Sequence, residues 1–165
     1  MLTTFKIATL SVALLLGGCA LFREPPAVGE PVAAVTAKLG HPTGSYPALD
    51  GGQMLEYATG PFGQFTWMAH IGPDGRLLSF EQVLTGEKFA TIKVDQATKA
   101  DVLRIVGRPA EQSRVRLHNY EVWSYRYKEA GVWNSLMHVH FDEAGVVRQM
   151  MNGPDPLFEP RDRRW

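Results

Sequence analysis

One cysteine, Cys19, occurs in 165 residues. A single cysteine excludes an intramolecular disulfide, so the fold rests on its core and not on covalent staples. Long apolar runs are also missing. The run over residues 7–16, broken by Thr9 and Ser11, holds ten residues, against about 20 for a membrane-spanning helix. Excess charge of either sign is absent: 17 Lys+Arg balance 17 Asp+Glu. That removes the electrostatic case for nucleic acid as a partner. There is no nucleophile elbow, Walker loop, dinucleotide fingerprint or HExxH, so no motif argues for an enzyme or a cofactor.

What is present at the start is ordered. Lys6 precedes the apolar run, whose length suits a signal-peptide h-region. Leu16, Gly17, Gly18 and Cys19 follow, a large aliphatic residue and two tiny ones before the thiol. This order resembles the lipobox of bacterial lipoproteins. The resemblance implies that residues 1–18 are a signal peptide and that Cys19 carries a thioether-linked diacylglycerol. The alternative is an ordinary secretory signal with a chance cysteine. Each buried methylene adds about 0.8 kcal/mol, so two or three acyl chains give stable anchoring. Ala20 stands where an inner-membrane retention signal would have aspartate, which implies the outer membrane, facing the periplasm.

Removing residues 1–18 takes away only one charged residue, Lys6, and leaves 147 residues. A chain of that length buries about 68–70% of its unfolded surface. Residues 19–30 read as a tether, with Pro25 and Pro26 favouring an extended, semi-rigid spacer.

Beyond the tether the chain repeats. "VAAVTAKLGHP" (32–42) matches "KADVLRIVGRP" (99–109), aligning Val35 with Val102, Gly40 with Gly107 and Pro42 with Pro109. Apolar residues at helical spacing, then glycine, then proline, predict a helix and its stop. Thr98 and Asp101 form a variant of the capping box. A polar loop follows each helix, and then come alternating segments: 54–58, 65–71 and 77–84 in the first copy, 122–127, 135–141 and 147–151 in the second. Asp-Gly and Ala-Gly turns between them predict hairpins. The expected fold is α+β: two tandem units, each a helix plus a three-stranded antiparallel meander. Packed together, they would form one domain whose larger sheet carries helices on one face. The units span 31–92 and 93–153, with 85–92 as a short extra helix and 154–165 as a disordered tail. Phe65, Trp67, Ala69 and Ile71, with Met137, Val139 and Phe141, should lie on the covered face.

Helix–Gly-x-Pro, an aromatic-x-Tyr strand and a strand ending at an acidic–Gly turn, behind a lipobox, resemble the SmpA/OmlA/BamE-like outer-membrane lipoproteins. In tandem the architecture is similar to the β-lactamase inhibitory protein. This chain departs from both: it has two copies where a BamE-type protein has one, and it has no cysteine pair for the inhibitor's disulfides. The first resemblance implies an accessory binding factor in outer-membrane protein assembly or envelope integrity. Its partners would be the membrane, through the lipid, and envelope proteins. The second implies a binding module for a periplasmic enzyme.

The residues most suggestive of chemistry are His138 and His140, followed by Asp142. Alternate residues on a strand point the same way, so the two imidazoles could share a metal. No third ligand is specified, although His70 is the equivalent of His140 in the first unit and His118 lies near a strand start. The simpler expectation is a solvent-facing strand surface. "GPFGQF" (60–65) reads as a hairpin tip, with "KEAGVW" (128–133) as its counterpart. Phe62 at that tip is either folded back onto Trp67 or the sheet, or a contact for a protein partner or for the membrane. Neither a small-molecule substrate nor a cofactor is indicated.

Overall fold

Helix ends lie where the capping residues place them. The computed structural model describes residues 24–158, so Cys19, the signal segment and residues 159–165 lie outside the described residues. α1 (Val32–Leu39) stops at Gly40 and α3 (Lys99–Val106) at Gly107. The two glycines have φ of 86° and 78° with ψ of −165° and −161°, an extended region essentially reserved for glycine. Each donates its N–H back into the helix, to Thr36 O at 2.8 Å and Leu103 O at 3.0 Å. Thr98 and Asp101 form the expected capping box of α3. Between them in the chain, α2 (Gly86–Thr91) is capped by Thr85 Oγ1, which accepts from Lys88 N.

The strands depart from expectation. β1 (Gly44–Pro47), β2 (Gln53–Ala58), β3 (Thr66–Ile71) and β4 (Leu77–Gln82) form one four-stranded antiparallel sheet, and β5 (Glu111–Val115), β6 (Tyr120–Glu129), β7 (Trp133–Phe141) and β8 (Val147–Pro154) form another. The fold is therefore mostly β, and the expected helix-plus-three-strand units on a shared sheet are not what forms. β1 and β5 occupy the segments read as polar loops. Both are sheet edges, and every residue of β5 is exposed. An exposed edge strand has no buried face, so it carries no alternation to read. Its backbone pairs all the same, with Glu111 opposite Ser124 and Ser45 opposite Leu55. In the chain, α2 and α3 lie between β4 and β5.

The repetition itself extends to irregularities. Both third strands change register at their ends, between His70 and Ile71 and between His140 and Phe141. Gly75 and Gly145 both turn at φ 76°. Each helix start donates to that turn, Val32 N to Gly75 O at 2.9 Å and Lys99 N to Gly145 O at 3.1 Å.

Two cores result. In the first, Val35 of α1 packs with Leu55, Ala69, Ile71 and Leu77. In the second, Val102 and Val106 of α3 pack with Trp123, Tyr125, Val139 and Phe141. Phe89 of α2 joins this second core, edge-on to Tyr125 and Tyr127 at 5.7 and 5.1 Å between ring centres. Phe65 and Trp67 do not share the buried face as expected. Both are partly exposed, and Trp67 stacks on Phe80 at 5.1 Å.

Candidate functional site

The units meet at Glu56. It sits in the middle of β2 and is 1% exposed, although a carboxylate in a half-buried sheet would ordinarily face water. Three hydrogen-bond donors and a nearby guanidinium compensate its burial. Tyr46 donates its hydroxyl to Oε2, Thr43 Oγ1 donates to Oε1 at 3.1 Å, Arg108 N donates to Oε2 at 3.1 Å, and Arg108 Nε lies 3.7 Å from Oε1. Burial, and then the bond to Glu56, hold the Tyr46 hydroxyl well above the ordinary tyrosine range, so it stays a donor. Tyr125, almost wholly buried beneath, donates to Gly107 O at 3.1 Å. Beside this clasp lies a cleft of about 290 Å³, lined by Glu56, Thr66, Arg108, Tyr125 and Arg126 among others.

The clasp explains why the second helix stop must be glycine. A Cβ on Gly107 would lie 3.0 Å from the Glu56 carboxyl, whereas one on Gly40 would meet nothing within 4 Å. Gly40→Ala is expected to cost about 1–3 kcal/mol from backbone strain alone. Gly107→Ala should cost more, because it adds the contact with Glu56. Urea unfolding of both variants checks this, and equal losses would show that Glu56 moves aside freely.

A second buried ion pair lies at the edge of the same cleft. Arg126 Nη1 is 2.5 Å from Asp155 Oδ1, and the Asp155 side chain is fully buried. Asp155 Oδ1 also accepts from Leu157 N at 3.0 Å, which holds the turn after β8.

The histidines do not converge on a metal. His138 and His140 share one face of β7, but His138 is half-buried and His140 buried, so the expected solvent-facing surface does not form. Asp142 lies beyond the register change and is bonded to Arg148 Nε at 2.7 Å. His138 Nδ1 lies 2.8 Å from Ser124 Oγ, its cross-strand neighbour. His140 packs edge-on to Tyr120, with burial, and then the nearby His138, lowering its pKa. His70, in the other sheet, lies 2.9 Å from Asp50 Oδ2, and His118 tilts against Tyr120. Among the described residues, no group of three or more His, Cys, Asp or Glu could hold a metal ion. The Ser124–His138 pair was not legible in the sequence, since only the β6–β7 register makes the two neighbours. Ser124 is buried and flanked by an exposed strand edge, with no carboxylate hydrogen-bonded to the far side of His138. The pair is a cross-strand hydrogen bond between β6 and β7.

Other features face outward. A shallow groove of about 330 Å³ runs between the β1–β2 turn and α3, lined by Leu49, Met54, His70 and Ile105. Phe62 is 68% exposed and does not fold back. Its loop is bonded to the counterpart hairpin, Gln64 Nε2 to Asn134 Oδ1 at 2.9 Å, next to Trp133, which is 69% exposed. The 3-10 turn Pro156–Phe158 is fixed to the same place by Asp155 N donating to Asn134 O at 3.0 Å. Among the described residues no helix is long and apolar enough to cross a membrane.

No family model and no curated protein matches the chain. Among solved structures it is similar to a DUF4309 family protein, YjgB, from Bacillus subtilis subsp. subtilis str. 168, at 14% identity over 73% of this chain and 74% of that one. The TM-score of 0.30 is too low to carry an argument about fold or function.

Proposed function

We propose that this chain is a non-catalytic lipoprotein of the outer membrane, resembling the SmpA/OmlA/BamE type. It would be held at the periplasmic side by lipid on Cys19 and would act by binding, as an accessory factor in outer-membrane protein assembly or envelope integrity. The observation that carries the proposal is the order Leu16-Gly17-Gly18-Cys19 behind a ten-residue apolar run, leading through Pro25 and Pro26 into a two-unit body. The chemistry of the body agrees with a binding role. Its most deeply buried carboxylates, Glu56 and Asp155, are engaged in holding the structure, while apolar side chains are displayed at its loops. A tether confines the body to two dimensions and raises its effective concentration at membrane partners.

Cys19→Ser should abolish acylation and release the protein from membranes. Unchanged membrane retention would overturn the anchoring. Crosslinking in intact cells followed by purification should recover envelope-assembly proteins. Recovery of one soluble periplasmic enzyme instead would favour an inhibitor-like binding module.

A further inference from the structure

One end of the molecule carries five exposed apolar side chains on three separate segments: Phe62, Val132, Trp133, Leu157 and Phe158. Each is held on a loop or turn closed by backbone hydrogen bonds. Gly63 N closes the first loop on Gly60 O at 2.9 Å, and Val132 N closes the second on Glu129 O at 3.0 Å. The Gln64–Asn134 and Asp155–Asn134 bonds tie the three segments together.

Among the described residues, the charges at this end are paired locally. Arg126 is paired with Asp155, and Lys128 neighbours Glu129 in sequence. Lys128 Nζ is bonded to Asn134 Oδ1 at 2.7 Å, and the Glu129 carboxylate to Ser135 Oγ and Asn152 Nδ2, each at 2.8 Å. Paired charges beside exposed Trp and Phe, among the described residues, give the composition of the headgroup boundary of a bilayer, where amphipathic aromatic rings partition without needing lipid charge.

The geometry points to the bilayer surface as the occupant: the tips around Phe62, Trp133 and Phe158 dip into the headgroup layer and give the protein a second, protein-borne membrane contact. This rests on the proposed anchoring at Cys19 for its biological setting. The described chain enters at the opposite end of the first sheet, where Pro31 bridges to Arg76. Pro26 is buried, so the six steps from Cys19 to Pro25 extend at most about 22 Å. The six residues of β3 rise about 20 Å, so the tether is long enough for the body to turn its far end to the same leaflet. One lipidated residue plus an interfacial contact also fixes an orientation that a tether alone leaves free.

The test uses the chain beginning at Ala20, which carries no lipid and retains all the described residues. It is sedimented with phosphatidylethanolamine/phosphatidylcholine vesicles and, separately, with vesicles containing phosphatidylglycerol, and tryptophan quenching by brominated lipid is read in parallel. Binding is expected to both vesicle types, to persist in high salt, and to fall at least about tenfold in the Phe62→Ser/Trp133→Ser variant. The melting temperature of that variant should barely change, because exposed substitutions usually cost within about 0.5 kcal/mol. Absence of binding, binding that requires phosphatidylglycerol, or equal binding by the variant would each overturn the assignment. If vesicles fail but the variant loses a crosslinked envelope protein, the tips are a protein contact and the bilayer is excluded. None of these outcomes touches the Cys19→Ser result, which stands or falls on membrane retention in cells.

Discussion

Asp155→Ala is expected to destabilise the protein by about 3–5 kcal/mol, the range found when one member of a buried ion pair is removed. The loss comes less from the pair's own attraction than from the guanidinium left behind. The Arg126 side chain is 13% exposed, and among the described residues its Nε already lacks a hydrogen-bond partner. Without Asp155 the whole positive charge would be stranded under the turn after β8, and Leu157 N would lose its acceptor. The double variant Arg126→Met/Asp155→Leu separates the two contributions. It should be less destabilised than Asp155→Ala alone, because no charge remains to be desolvated. Urea unfolding of all three chains gives the comparison. A double variant as unstable as the sum of its parts would mean that the residues act through packing and not through each other.

Glu56→Ala should cost about 3 kcal/mol, because it strands two part-buried donors at about 1–3 kcal/mol each. Tyr46 would lose the acceptor for a hydroxyl that burial keeps protonated, and Arg108 N would lose the only acceptor that links it to the first unit. Glu56→Gln preserves the shape but points an NH₂ group at donors on one side, so an intermediate loss of about 1–2 kcal/mol is expected. The two units share this clasp, so hydrogen exchange should show added opening at β1, β2 and the end of α3 before the cores around Val35 and Phe141 open. If Glu56→Ala loses less than about 1 kcal/mol, the units are held together chiefly by apolar contact through Leu84 and its neighbours.

The same residues show what could be read in advance. The helix stops at Gly40 and Gly107, the cap at Thr98 and the duplicated order were legible because they rest on local backbone chemistry. Trp123, Tyr125, Val139 and Phe141 were legible as core because strand alternation writes burial into sequence. β5 was not, since an exposed edge strand pairs through its backbone and leaves no side-chain pattern, and β1 was not, since its four residues alternate only between half-buried and exposed. Nor was the face of Trp67, which lies in the expected strand but at an end of the sheet where α1 no longer covers it. Glu56 was invisible for a different reason. In "MLEYA" it occupies an ordinary outward position, and nothing local says that a second unit will close over it.

The sequence by itself determined the repeated helix–meander order, the helix ends and the residues of the two cores, together with the lipobox-like motif at Cys19. Those follow from neighbours within a few residues, or from periodicity along one element. Only the tertiary structure decided that each meander has four strands and that the two sheets remain apart. It alone buried Glu56 against Arg108, brought Ser124 beside His138, and gathered Phe62, Trp133 and Phe158 at one end. The physical reason is that these are pairings between segments, set by backbone register within a sheet or by the closure of one unit on the other, which no local pattern records.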